Sequence, residues 1–169
     1  MKRKELVERL AEVDDDIAEL FINEIDPTAA HLRASIRKQT ILRNFVPVFM
    51  GSAYKNKGVQ LLLDGVTHFL PSPPEVANIA LDQKNAESHV NLICDANKPL
   101  VALAFKLEES KFGQLTYIRV YQGTLRKGQM AVNMTTGKKI KIPRLVRMHS
   151  NEMQDVDSAG AGDVVAVFG

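Results

Sequence analysis

The sequence predicts an α/β unit with a helical insertion, followed by an all-β barrel. Three observations carry that expectation. Between Phe45 and Leu70 a short apolar run, "FVPVF", passes through the small residues Gly51, Ser52 and Ala53 into an amphipathic helical stretch, the strand, turn and helix order of an α/β protein. The prolines of "PSPP", Pro71 to Pro74, end that helical grammar. From Leu100 onward the chain changes to short β-rich runs punctuated by glycine, the pattern of a small barrel or sandwich.

Taken in order, Leu6, Leu10, Val13, Ile17, Leu20 and Phe21 recur three or four apart between Arg3 and Asn23, which predicts one amphipathic helix. Pro27 and Thr28 reset the chain. Thr28 is a candidate N-cap for a second helix over Leu32–Ile41, rich in Arg33, Arg37 and Lys38, and the two helices pack as a hairpin. Residues Phe45–Phe49 read as a buried strand, and Val59–Leu70 as a third helix with Val59, Leu62, Leu63, Val66 and Phe69 or Leu70 facing inward. Residues 1–74 therefore form the first domain, 75–97 a polar linker without sustained periodicity, and 98–169 the barrel. Its last run, "VVAVFG", ends at Gly169 with nothing left to pair its far side, so the barrel is expected to be truncated at its C-terminus.

Composition excludes more than it selects. Of the 169 residues, 45% are hydrophobic and 25% charged, with 22 lysines and arginines against 20 acids, so the overall charge names no partner. Cys94 is the single cysteine and cannot make an internal disulfide, and the four histidines have no metal-ligand spacing. No metal site is expected. No apolar run approaches the ~20 residues that span a bilayer, so no membrane is expected as a partner.

Gly51, Ser52 and Ala53 are the most informative residues. A strand that ends in small residues and opens onto a helix points backbone N–H groups outward, and a flat ring can approach such backbone closely. By itself this tripeptide is also what a tight turn in any α/β protein needs. The surrounding stretch, "VPVFMGSAYKNKGVQLLLDGVTHFLPSPP", resembles the end of the GTP-binding domain in the elongation factor G family of translational GTPases. "KRKELVERLAEVDDDIAELFINE" is similar to the helical insertion of that domain, and "ASIRKQTILRNFVPVFMGSA" to the segment returning to its sheet. "PLVALAFKLEESKFGQLTYIRVYQGTLRKGQMAVNMTTGKK" and "RLVRMHSNEMQDVDSAGAGDVVAVFG" look like the β-barrel second domain, and "FKLEESKFGQLTYIRVYQG" is closer to mitochondrial members than to bacterial ones.

The resemblance implies the C-terminal part of a P-loop GTPase domain followed by a barrel of the translation-factor domain II type. It makes Gly51, Ser52 and Ala53 the guanine-binding loop: the Ala53 amide recognises the guanine carbonyl, and Ser52 braces the loop against the base-reading motif upstream. It implies a parent that uses GTP and GDP with Mg2+ and drives translocation of tRNA and mRNA on the ribosome. It further implies contact of the barrel with small-subunit rRNA and proteins, a monomeric parent, and location in the mitochondrial matrix. Lys138, Lys139, Lys141, Arg144 and Arg147 are the candidate rRNA contacts, although alternating charge on a strand is also the ordinary solvated arrangement.

Other motif matches fail. Asn56 and Lys57 imitate the start of the guanine-specificity motif, but Val59 stands where its carboxylate belongs. "DSAG", Asp157 to Gly160, fits a magnesium-switch pattern in the wrong place and reads better as a turn. His149 reads as a surface histidine and Tyr54 stays undecided, whereas Phe49 and Phe69 read as core. No GxxxxGK[ST] sequence occurs, so the chain alone is expected neither to hold GTP tightly nor to hydrolyse it, and no catalytic residue is assigned. Two alternatives stay open: a ribosome-recycling factor of the same family, and a stand-alone β-barrel adaptor that binds RNA or protein without nucleotide chemistry.

Overall fold

The structure, a computed structural model, describes residues 2–110, 113–150 and 152–168, so Gly169 lies outside it. The chain divides into two units, Met1–Ser72 and Pro73–Gly169.

The first unit contains α1 (Lys2–Ala11), α2 (Asp15–Ile22), α3 (Ala29–Ile41) and α4 (Val59–Phe69). The single helix expected over Arg3–Asn23 is thus two. Asp14 interrupts it: its backbone is extended and its carboxylate accepts from Asp16 N, capping α2. The apolar spacing survives the break because Leu10 and Ile17 reach the same core, with Val7, Leu32 and Ile36, so periodicity could not register it. Thr28 caps α3 as expected, accepting from His31 N at 3.2 Å, although the helix starts at Ala29 and not at Leu32.

Asp14 is 2% exposed and would be costly there without partners. Gln39 Nε2 donates to it at 2.8 Å and Lys38 Nζ stands at 3.3 Å. Gln39 also holds the chain leaving α3: its side-chain carbonyl accepts from Asn44 Nδ2 at 3.1 Å, and its backbone carbonyl from Asn44 N and Phe45 N at 2.9 and 3.2 Å.

The strand expected at Phe45–Phe49 is not hydrogen-bonded into any sheet of the described residues. The segment keeps a strand's alternation, with Phe45 and Pro47 half-buried and Val46 and Val48 77% and 85% exposed. What is missing is a neighbouring strand to complete a ladder. For the same reason the inward face expected for α4 is open, with Leu62, Leu63 and Val66 exposed. The helix packs instead through buried Gly65 and through Phe69, and Arg37 of α3 donates to the carbonyls of His68 and Leu70 at its C-terminal end, at 2.9 and 3.2 Å.

The second unit opens with a 3-10 turn, Pro73–Glu75, and then a hairpin, β1 (Asn78–Asp82) and β2 (Ser88–Leu92), inside the stretch expected to be a linker. Its signal is weak because Ile79 and Leu81 face outward, while Asn78, Ala80 and Asp82 take the half-buried positions. The turn lacks Gly and Pro, and Asp82 organises it by accepting from Lys84 N at 2.9 Å and Asn85 Nδ2 at 2.7 Å.

A five-stranded antiparallel sheet follows, made of β3 (Val101–Ser110), β4 (Gly113–Gln122), β8 (Leu145–His149), β9 (Glu152–Val156) and β11 (Val164–Phe168), in the order β3-β4-β11-β8-β9. Two short pairs complete the unit: β5 (Thr124–Arg126) with β10 (Ser158–Gly160), and β6 (Met130–Val132) with β7 (Lys139–Lys141). The expectation that "VVAVFG" lacks a partner is corrected. β11 is central, pairing with β4 on one side and β8 on the other. Val165 and Val167 join the core of Val120, Leu125, Ile142 and Leu145, while Ala166 packs with Leu115 and Val146 on the opposite face. A run apolar at every position is what a strand covered on both faces requires.

The segment before β3 is tied to the β4–β5 corner. Gln122 accepts from Ile93 N and donates to Pro99 O, both at 3.0 Å, and Thr124 Oγ1 donates to Ala96 O at 2.9 Å. Between them Gly123 has φ +77°, and a Cβ there would stand 2.6 Å from Lys98 O and 2.7 Å from Leu100 N, both backbone atoms.

Two outcomes are expected. Gly123→Ala combines left-handed strain with a backbone collision, so it should destabilise the second unit by ~2 kcal/mol or more in denaturant unfolding. Asp14 tests the first unit: burial pushes its carboxyl up, but the hydrogen bonds from Gln39 and Lys38 outweigh this and hold it below the ordinary 3.8. A carboxyl lowered on folding contributes stability that is fully present above the unfolded value and is lost as pH falls through the folded one. The wild type's resistance to urea should fall below about pH 4, and Asp14→Asn, which keeps a capping oxygen but no charge, should flatten that dependence.

Candidate functional site

Gly51, Ser52 and Ala53 lie together at the start of a tight turn between the extended segment and α4. Ser52 and Lys57 close it by two backbone bonds, Ser52 N to Lys57 O at 2.9 Å and Lys57 N to Ser52 O at 3.0 Å. Within it, Asn56 N donates to Ala53 O at 3.1 Å, Lys55 N donates to Ser52 Oγ at 3.3 Å, and Asn56 takes a left-handed φ of 50°. Ser52 thus braces the turn upon itself.

The neck of the turn is two glycines wide. A Cβ on Gly51 would stand 2.7 Å from Lys57 O, and one on Gly58, whose φ is +76°, would stand 2.8 Å from Met50 O. Side chains at either position would force the strands of the neck apart. Above the neck, Ala53 and Tyr54 are exposed, Tyr54 at 99%, and their amides make no hydrogen bond among the described residues. The turn therefore offers unengaged N–H donors beside a methyl-sized side chain. Chemically it can donate to the carbonyl of a flat ring approaching edge-on.

Phe49 and Phe69 flank the turn's base. Their rings stack at 6.3 Å between centroids, and the Phe49 ring lies on the bare Cα of Gly65. Neither Gly58 nor Gly65 was singled out as a site residue by the sequence. The available signal was a glycine before a helix's first turn and another in its interior, positions where glycine weakens a helix unless a close contact needs it.

The five candidate basic residues fall into two groups. Arg144, just before β8, and Arg147, on it, are neutralised: Arg144 makes a two-pronged pair with Asp155, its second bond at 2.7 Å, and lies over the Phe168 ring at 5.3 Å. The Arg144 guanidinium holds the Asp155 carboxyl below the usual range. Arg147 Nη2 reaches Asp163 Oδ1 at 3.3 Å. Lys138, Lys139 and Lys141 belong to the β6–β7 hairpin, are exposed, and make no ion pair among the described residues. Lys139 and Lys141 pair across the strands with Val132 and Met130, so all four share one face of the hairpin.

Elsewhere the chemistry is bland. His149 Nε2 lies 3.3 Å from Gln154 Oε1 on the surface. Among the described residues no group of His, Cys, Asp or Glu is arranged to hold a metal ion, and no helix is long and apolar enough to cross a membrane. A groove of about 510 Å³ between α2 and α3, floored by Ile17, Leu20 and Ala34, includes none of the expected site residues.

Comparison with known proteins is consistent along the chain. The model of the family "Elongation factor Tu domain 2" matches residues 113–169. Elongation factor G-1, mitochondrial, of Arabidopsis thaliana is 61% identical over 168 residues, which is 99% of this chain and 22% of that protein. This chain thus spans about a fifth of that relative's length. A crystal structure of a protein from Thermus thermophilus superposes with a TM-score of 0.62 at 24% identity, covering 97% of this chain and 22% of the other. That likeness establishes a shared fold. Residues 113–169 match the model of the elongation factor Tu domain 2 family, and over nearly its whole length the chain is similar to a segment of mitochondrial elongation factor G.

Proposed function

We propose that this chain is a segment of a GTP-dependent elongation factor that drives movement of tRNA and mRNA through the ribosome during mitochondrial protein synthesis. The observation that carries it is the 61% identity sustained over 168 residues to a mitochondrial elongation factor G. In the segment, residues 1–74 supply the end of the GTPase domain and residues 98–169 the barrel. The turn at Gly51, Ser52 and Ala53 forms one wall of the guanine site, in which the Ala53 N–H donates to the base carbonyl. Adenine carries an amine there, so donor would meet donor. The open amide and the glycine neck support this assignment.

Binding of the β- and γ-phosphates and of Mg2+ falls to sequence outside this chain, which has no GxxxxGK[ST] loop. GTP hydrolysis accordingly belongs to the parent. On the barrel, Lys138, Lys139 and Lys141 are the better rRNA contacts, because the charges of Arg144 and Arg147 are already met by Asp155 and Asp163.

Two measurements test the proposal. In the full-length parent, Ala53→Leu keeps the backbone N–H but puts bulk where the ring edge approaches, so it should weaken GDP binding by ~10-fold, about 1.4 kcal/mol, while the isolated chain should bind fluorescent GDP too weakly to detect. Unchanged affinity in the variant would remove the turn from the pocket. Replacing Lys138, Lys139 and Lys141 with alanine should lower ribosome affinity and flatten its salt dependence by roughly 0.7–0.9 in log–log slope for each phosphate no longer neutralised. Alanines at Arg144 and Arg147 should leave that slope unchanged.

A further inference from the structure

An amide reads a carbonyl only when the turn that carries it stands still, and this turn is held from two sides. Its neck is fixed by the close approach of Gly51 and Gly58. Its approach is fixed by Phe49, four residues ahead of Ala53, whose ring occupies the space a side chain at Gly65 would take. A Cβ at Gly65 would stand 2.5 Å from Phe49 Cζ and 2.8 Å from Cε2. Gly65 is buried, in the middle of α4, where alanine is intrinsically the better helix former. Glycine at that point weakens the helix and leaves a seat for the ring, which also stacks on Phe69 one turn further along.

We propose that Phe49 and Gly65 are positioning residues for base recognition: the ring seated against the bare Cα of Gly65 sets where the Ala53 amide stands relative to α4. The inference rests on the reading of Gly51–Ala53 as the guanine-contacting turn. Phe49 leads through Met50 directly into the neck, where Met50 O is the atom a Gly58 side chain would strike. A displaced ring therefore shifts the neck within two residues. Neither residue touches nucleotide; both act through the turn.

The test uses the full-length parent and two nucleotides, GDP and 6-thio-GDP, which differ only in the atom at the base carbonyl. Sulfur is larger and a poorer acceptor, so the ratio of their dissociation constants reports that contact, whereas a general loss of stability moves both constants together. The wild type should prefer GDP by roughly 10-fold. Gly65→Ala should bring the preference to within about two-fold, and adding Phe49→Leu, which removes the colliding Cζ and Cε atoms, should restore it. Should Gly65→Ala fail to fold, Phe49→Ala loosens the seat from the other side and should lose the preference equally. A full preference in Gly65→Ala or Phe49→Ala, or no restoration in the double variant, overturns the inference. Ala53→Leu separates the two levels. If it keeps wild-type affinity and preference, the reading of the turn falls and the inference with it. If it loses them while Gly65→Ala does not, only the inference falls.

Discussion

Close approach of backbone to backbone, possible only where no Cβ intervenes, is the constraint on which both units depend. In the first unit it brings Met50 and Gly51 against Lys57 and Gly58, and the same lack of a Cβ seats Phe49 on Gly65. In the second it lets the β4–β5 corner at Gly123 touch Lys98 and Leu100, so that the segment before β3 is held by Gly123 N, which donates to Asp95 O, and by Gln122 and Thr124. These contacts are short in sequence and severe in tolerance. A methyl group at any of them meets an atom at less than 3 Å, and at Gly51, Gly58 and Gly123 that atom belongs to the backbone and cannot rotate away.

Around the first of these contacts the helical unit builds a polar scaffold. Asp14, Lys38, Gln39 and Asn44 connect the break between α1 and α2 to the end of α3 and to the extended segment that leads to the turn. Gln39 is 3% exposed and uses its amide in both senses, donating to Asp14 and accepting from Asn44. A buried carboxylate with such partners is tolerable where an unpaired one would not be. Arg37, on the same helix, anchors the far end of α4. The turn is thus tied to α3 at both ends of its flanking elements, by Gln39 through Phe45 and by Arg37 through α4.

Much of this was legible in the sequence, for reasons that can be named. Thr28 and the apolar spacing located α3, the prolines of "PSPP" marked the change of unit, and the glycine-punctuated runs gave the β-rich part its class. The break at Asp14 was hidden because a seven-residue step from Leu10 to Ile17 keeps the helical phase. The β1–β2 hairpin was hidden because its apolar residues, Ile79 and Leu81, point outward and its turn has neither glycine nor proline. Burial at Val46, Val48, Leu62 and Leu63 was overstated because apolar pattern predicts which face seeks a partner, and no described residue here supplies one. The small-residue turn was visible as a motif, whereas its support by Gly58, Gly65 and Phe49 needed three dimensions. Charge pattern likewise marked the basic residues but could not tell which of them Asp155 and Asp163 had already met.

The exposed state of the Ala53 amide limits what the turn can contribute. In the proposed guanine site, an N–H that is open to solvent would exchange water for the base carbonyl, so its net contribution to binding would be only ~0.5–1.5 kcal/mol. If the turn reads a nucleotide base as proposed, tight binding would not come from that source and would rest on contacts to the phosphates. Discrimination is a different quantity. Set against adenine, the same fixed donor would face another donor, and the penalty would be the loss of solvation with no bond in return, ~1–3 kcal/mol. A rigid turn of this kind therefore contributes selectivity and little affinity, and rigidity is what the two-glycine neck and the Phe49 seat provide. On the proposed reading, base recognition and phosphate chemistry could for this reason sit on separate stretches of one polypeptide, with the recognising turn held in shape by local packing alone.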